Sequence, residues 1–402
     1  MKQGVLNIKF SDMPMLALLS AQFLSALADN ALLIAAIAMM KANGQPEHMS
    51  WIQVGFVLPF IVLAPVVGAI ADALPKGRVL LLGNAIKLVG ACLMLFGAGP
   101  IGSYLLVGVG AAIYSPAKYG ILGQFFSAEK LVKANGWLEG STIVAILLGV
   151  LLGGILADRS IAAALLSVIV IYAIAAAINL LIPRISPEHV ITKWDVPALF
   201  KVFWQGGVTL MRDPAARMCL LGTSLFWGCG ATLRLMLFAW VPLALGISNN
   251  QTPAELMGVL SIGIVIGAAI AAHWVSLENI RRAYLGGLII GPIIVLMAVQ
   301  TSLIPVALLL LLLGIGGGLF VVPLNALLQQ RSHQSVGAGH ALAVQNLFEN
   351  MAMLVLVSGY GLAEKLPVTS TVSGFGIMLF AGMALLAWTS KRNKVFLTNK
   401  SA

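Results

Sequence analysis

Apolar residues run along this chain in long unbroken stretches, without the three-to-four spacing of an amphipathic helix or the alternation of a half-buried strand. Twelve such stretches follow one another, at roughly 14–40, 51–73, 79–98, 102–122, 137–157, 161–183, 217–246, 256–276, 283–301, 304–328, 338–363 and 371–390. A hydrocarbon layer about 30 Å thick is crossed by about 20 helical residues, so each stretch predicts one membrane span. The expected fold class is an all-α polytopic membrane protein with 12 transmembrane helices. One connection is long, 184–216, with Arg184, Lys193, Lys201 and Arg212 and an amphipathic pattern around Trp194, Phe200, Phe203 and Trp204. It divides the chain into an N-terminal six-helix bundle (1–183), an inter-bundle loop (184–216) and a C-terminal six-helix bundle (217–402).

Composition narrows the class further. At 60% hydrophobic and 9% charged, a soluble enzyme, a disordered chain and a nucleic-acid binder are all excluded. The net charge of +10 is explained by where the charges lie. Of the 24 Lys and Arg residues, all but Lys41, Arg159, Lys365 and the in-span Lys87, Lys118 and Arg234 fall on the side of the termini. An even span count puts both termini on one side, and the positive-inside bias makes that side cytoplasmic. The basic start followed by an apolar run is expected to be a retained first span, because the run continues without a cleavage pattern. Cys92, Cys219 and Cys229 sit in apolar runs with no metal-ligand or CxxC spacing, so packing roles are expected and no metal or cofactor is called for.

An internal repeat crosses the central loop. GVGAAIYSPAKYGILGQFFSAEKLVKANG (108–136) resembles GIGGGLFVVPLNALLQQRSHQSVGAGH (314–340), with Pro116 opposite Pro323, so span four mirrors span ten. Count, division and repeat together resemble the major facilitator architecture, two pseudo-two-fold bundles of six helices. The turn between spans two and three strengthens the resemblance: Gly68, Asp72, Lys76, Gly77 and Arg78 fit GxxxD followed by a basic-Gly-Arg turn. Gly68 lets a neighbouring helix approach closely, and Asp72 can accept from Arg78 or from helix N-termini. The equivalent stretch of the second half, Gly267 to Arg282, has Ala271 where Asp72 would stand, so that gate is asymmetric.

Ionisable side chains inside spans cost several kcal/mol and each needs a named partner. Asp29 lies in span one, Lys118 in span four, Arg234 in span seven and Glu349 in span eleven. Spans one and seven open the two repeats, so the pseudo-symmetry predicts a pair between Asp29 and Arg234. Glu349 can approach Lys118 or Arg234, and Lys118 with Glu349 is the second expected pair. Lys87 in span three is a second-tier candidate whose long stem can also snorkel to the inner surface. Glu139, at the start of span five, is another, or it complements the positive end of that helix. His273 and His340 lie near interfaces, where no special role is expected. Gln22, Ser25, Asn30, Tyr114, Tyr119, Thr223, Ser224, Asn325, Gln345 and Asn346 gather around the charged positions and can complete a headgroup site. A phosphoester with an ammonium group needs an Arg for its phosphate and an acid for its amine, and both are present. No GxxxxGK[ST], HxxxxD or HExxH pattern occurs, so no enzyme is expected.

The stretches AQFLSALADNALL (21–33), KGRVLLLGNAIKLVGA (76–91), LLVGVGAAIYSPAKYGILGQ (105–124), LGTSLFWGCGATLRLML (221–237) and GGLFVVPLNALLQQRSHQSVGAGHALAVQNLFEN (317–350) closely resemble the bacterial lysophospholipid transporter family. The resemblance covers nearly the whole chain. It implies a facilitator that flips lyso-phosphatidylethanolamine and lyso-phosphatidylglycerol from the outer to the inner leaflet of the bacterial inner membrane. It also implies a separate cytosolic acyltransferase/acyl-ACP synthetase that re-acylates them, and gating locks at Asp29, Lys118, Arg234 and Glu349. A monomer embedded in the lipid bilayer is expected. One acyl tail would stay in lipid while the headgroup crosses, and the glycines Gly153, Gly154, Gly314, Gly316, Gly317 and Gly318 would let the bundles part or simply pack helices closely. The alternative is a proton-coupled drug or small-amphiphile exporter of the same fold. A third class is a non-transporting scaffold for the acyltransferase.

Overall fold

The computed structural model describes residues 6, 8–44, 49–186, 195–247, 251–333, 335–362 and 366–392. Lys193, Trp194 and Lys365, named above for charge and amphipathic pattern, lie outside these residues. Helices follow in the order α1 (Met13–Ala42), α2 (Met49–Val62), α3 (Ala64–Ala73), α4 (Lys76–Leu95), α5 (Pro100–Phe125), α6 (Ala128–Arg159) and α7 (Ile161–Asn179). Then come α8 (Val196–Arg212), α9 (Pro214–Leu245), α10 (Gln251–Trp274), α11 (Ala283–Ala298), α12 (Leu303–His333), α13 (Ala338–Leu362) and α14 (Val368–Arg392). Among the described residues, eleven helices are long and apolar enough to cross a membrane, and α2 with α3 makes up to 12.

The second span is bent by 66° at Leu63. Pro65 in the first turn of α3 has no amide hydrogen, and its ring clashes with the carbonyl one turn earlier, so the helix stops and restarts. The long connection contains α8, whose buried residues Leu199, Phe203 and Leu210 form one helical stripe. Many large apolar side chains are exposed on the spans, among them Val144, Leu148, Leu151 and Ile155 on α6. In water such a belt would aggregate, whereas in a bilayer it is the lipid contact.

The chain forms two compact units. The first comprises Met1–Ser127, Val144–Thr209 and Ser332–Leu347, and the second Ala128–Ile143, Leu210–Arg331 and Phe348–Ala402. Both α6 and α13 are therefore divided between the units. In the first unit α4 packs on α5 and α7, α1 on α7, and α2 on α5. Its core joins Leu32, Ala35, Met40, Ile52, Met94, Val107, Leu165 and Val168. Small residues let backbones meet: a Cβ on Gly83 would lie 2.8 Å from the Gly110 carbonyl oxygen, and one on Gly110 would press on Gly83 and Lys87. In the second unit α11 packs on α14 and α9 on α14, while Gly263 of α10 and Gly314 of α12 face each other in the same way.

The glycine-rich spans are accounted for by packing inside a unit. Gly314 and Gly318 receive the α10 backbone, Gly316 meets Gly286, Gly317 takes the Phe226 ring, and Gly153 lies against Ala31. Of these glycines, Gly154 alone faces open space. Substituting Gly83 by Val should lower the thermal midpoint of the purified protein, with overpacking costing about 1–3 kcal/mol. Gly154→Val, where a Cβ meets nothing, should leave the midpoint unchanged; equal losses would refute this account of α4–α5 packing.

Candidate functional site

Four helices of the first unit converge on one buried ion pair. Ser25 and Asp29 lie one turn apart on α1, Asn84 and Lys87 lie one turn apart on α4, and these two faces meet. Lys87 Nζ donates to Asp29 Oδ2 at 2.7 Å and to Ser25 Oγ at 2.9 Å, and Ser25 Oγ donates to Asn84 Oδ1 at 2.7 Å. From α7, the Tyr172 hydroxyl donates to Asp29 Oδ1 at 2.6 Å, and from α5 the Tyr104 hydroxyl reaches the Asp29 carbonyl at 3.2 Å. The ammonium also sits 5.0 Å from the centre of the Tyr114 ring and 6.0 Å from that of Tyr172. Lys87 is 2% exposed and Asp29 17%, so the acid is the end of the pair that can be reached. Asn84 Nδ2 and the Tyr114 hydroxyl, both beside Lys87 and fully enclosed, have no hydrogen-bond partner among the described residues.

Lys87 therefore does not snorkel. A carboxylate at hydrogen-bond distance holds the ammonium more strongly than a stretch to a distant interface would, because the enclosed ammonium has almost no contact with solvent. Both carboxylate oxygens of Asp29 are engaged within the first unit, while Arg234 is an exposed residue of α9 in the second. Lys118 of the first unit lies over the Tyr119 ring at 4.7 Å, and Glu349 is buried in the second unit.

The GxxxD turn forms a second polar centre in the first unit. Asp72 is buried and accepts from the backbone amides of Gly339 at 2.7 Å and His340 at 3.0 Å, and it contacts His340 Nδ1 at 2.7 Å. These amides belong to the first turn of α13, which has no intrahelical acceptors for them, so the carboxylate both caps the helix and meets its positive end. Lys76 completes the centre, 3.6 Å from Asp72 and donating to the Ala71 carbonyl. Gly68 permits this approach, since a Cβ there would lie 3.0 Å from the His340 Cα. Of the two kinds of partner expected for Asp72, the helix N-terminus is the one observed and the exposed Arg78 is not; His340, for which no special role was expected, has a specific partner. Gly77 packs on Ile182. In the second unit the corresponding position, Ala271, is buried, and Gly136 of α6 lies against Ala268 and Ala272, with an alanine where the first unit has Asp72.

Glu139 does not open a helix. Because α6 starts at Ala128, Glu139 lies roughly three turns inside it, buried, accepting from Asn325 Nδ2 at 3.2 Å, and Glu129 takes the first-turn position instead. One turn away, Asn135 and Gln329 exchange two amide hydrogen bonds at 2.8 and 2.9 Å. Of the other polar candidates, Asn30 returns its amide to the Ala26 carbonyl, Thr223 and Ser224 donate to the Leu220 carbonyl, and Asn346 donates to Ser115 Oγ at 3.1 Å. Gln22 and Gln345 are buried, and Tyr119 is half-buried. The sequence reading missed Asn84, Tyr104, Tyr172, Asn135 and Gln329. The visible signal was a hydroxyl or amide alone in an apolar span, above all Tyr172 within IVIYAIAAA.

Helical architecture of eleven to twelve spans among the described residues, with a capped GxxxD turn and ionisable groups inside the spans, defines a membrane transporter of the facilitator class. The family model described as Major Facilitator Superfamily matches residues 18–357. The structure is similar to the human organic anion transporter MFSD10 (TETRAN), with TM-score 0.74 at 16% identity over 92% of this chain and 99% of that one. It is equally similar to the E. coli fucose:proton symporter FucP, with TM-score 0.74 at 13% identity over 93% and 98% of the two chains. These two likenesses concern the fold alone. Lysophospholipid transporter LplT of Serratia proteamaculans is 51% identical over 94% of this chain and 96% of its own. The proteins of that name from Citrobacter koseri and Escherichia coli O1:K1 are 47% and 48% identical, over 95% and 94% of this chain and 96% of their own. The chain belongs to the lysophospholipid transporter family of the major facilitator superfamily.

The buried pair makes a stability prediction. Lys87→Met leaves the Asp29 charge without its cation and should cost about 3–5 kcal/mol, whereas Asp29→Asn combined with Lys87→Met should recover much of that loss. A double-mutant cycle on thermal unfolding in detergent measures the coupling, and strictly additive effects would show that the pair contributes none.

Proposed function

We propose that this protein carries lysophospholipids, chiefly lyso-phosphatidylethanolamine and lyso-phosphatidylglycerol, from the outer to the inner leaflet of a bacterial inner membrane. The observation that carries this reading is identity of about one half, over nearly the full length of both chains, to relatives named lysophospholipid transporter. The chemistry of the spans supports it: basic groups at Lys118 and Arg234 suit a phosphate, and acids at Asp29 and Glu349 suit an ammonium.

In this mechanism the protein acts as a monomer with both termini in the cytoplasm. A cytosolic acyltransferase/acyl-ACP synthetase consumes the delivered lipid, and that consumption draws transport forward. Asp29 exchanges Lys87 for Arg234 as the units move, and Lys118 with Glu349 forms the second lock. Each lock favours one facing state by an amount set by its own differential contacts. One acyl chain remains in lipid throughout, so only the headgroup needs a polar path.

The test is transfer of radiolabelled lyso-phosphatidylethanolamine into diacyl lipid by spheroplasts that contain the acyltransferase, with and without this protein. Wild type should raise transfer well above background, and Arg234→Ala and Glu349→Gln should lower it about tenfold or more at normal membrane levels. No transfer by wild type would sink the lipid reading in favour of the exporter of small amphiphiles, and full activity of both variants would sink the locks alone.

A further inference from the structure

A cleft of about 660 Å³ opens in the first unit at the break in the second span. One wall is the break itself, with Ile61, Val62 and Pro65; the other is α8, with Phe200, Phe203 and Trp204. Leu347 of α13 closes the end, and Lys201 is the one charged side chain among the described residues that line it. This volume falls within the range of sites for a single drug-sized ligand.

Two observations indicate what fills it. Trp51, Val54, Leu58 and Val62 are all exposed and follow helical spacing along α2, forming a stripe that runs along the span into the cleft at Val62. On a membrane span such a stripe faces acyl chains, so the cleft continues a lipid-facing surface. On α8, Phe200 and Trp204 are exposed one turn apart, flanking the buried stripe of Leu199 and Phe203. A helix that leaves an indole and a phenyl ring open beside a lipid-facing stripe presents its apolar side to a hydrocarbon occupant.

Depth is set by the Asp72 centre. Pro65 precedes Asp72 by two turns on α3, and Leu347 follows His340 by two turns on α13. Because Asp72 and His340 touch, both edges of the cleft lie about 10 Å along their helices from that polar centre. An occupant there would have its tail about two helical turns inside the spans from that polar centre, within reach of Lys201 on its flexible stem for an anionic group.

We propose that this cleft is a binding site for the single acyl chain of a lysophospholipid, with Lys201 taking the phosphate. The proposal deepens the function above and rests on it for the choice of lipid. Full-length protein in nanodiscs would be photolabelled with lyso-phosphatidylethanolamine bearing a diazirine on its acyl chain. Label should concentrate on peptides spanning 58–65 and 196–212 and should be displaced by unlabelled lyso-phosphatidylethanolamine. Lys201→Glu and Trp204→Ala, both at exposed positions, should each reduce it about tenfold.

Label spread evenly over the lipid-facing spans and unaffected by either variant would overturn the proposal. So would equal labelling of the cleft by a diacyl probe, or cross-links from α8 to a second copy of the chain that exclude the probe. The spheroplast assay separates the two readings: transport without cleft labelling refutes this site alone, whereas cleft labelling without transport refutes the transport function and leaves a lysolipid site standing.

Discussion

An ammonium group enclosed among packed helices organises the first unit. Lys87 cannot be charged and unpaired there without cost, so the helices around it are arranged to answer its charge. Asp29 gives the counter-charge, Ser25 a second acceptor, and Tyr114 and Tyr172 the electron-rich faces of their rings. For α4 to bring Lys87 to that point it must lie close against α5, which is why Gly83 and Gly110 meet backbone to backbone beside the lysine stem. Tyr172 is tied to the same carboxylate, so the position of α7 is specified by a hydrogen bond as well as by apolar packing. Packing and electrostatics thus select one register for four helices.

The spans were legible in the sequence because hydropathy over twenty residues depends on the solvent of the helix and not on its neighbours. The helix in the long connection was legible for a related reason, since Phe200, Phe203 and Trp204 stand out against Lys201 and Arg212. The GxxxD turn disclosed Gly68 and Asp72 as a unit. Partners were not legible. Lys87 and Asp29 are 58 residues apart, and whether they meet depends on how each helix is rotated, a property that runs of uniformly apolar residues do not encode. The same limit hid the reciprocal amides of Asn135 and Gln329, separated by 194 residues. Pseudo-symmetry placed residues at matching depth in the two repeats and suggested Asp29 with Arg234, but depth is one coordinate and azimuth another. Likewise the prolines at 59 and 65 were visible in the chain, while the 66° bend between α2 and α3 is a property of the packed unit.

Membership of the lysophospholipid transporter family accords with a chain whose two units carry different polar equipment. The first holds a fully buried cation and its acid; in the second, Glu139 meets an amide, Asn325, at the contact described. Unlike polar groups in the two units suit a cargo with two unlike ends, one charged and one greasy, better than a cargo handled equally from both sides.

The unequal helix ends also differ in what can part them. At Asp72 the joint with α13 is made of charge and hydrogen bonds to backbone amides, whereas Gly136 meets the small side chain of Ala272 and the Ala268 carbonyl. Between helices that lie in lipid such small residues act by close packing, since the surrounding chains are as apolar as they are. A single lost charge at Asp72 would therefore open one joint and leave the packing of the other as it was.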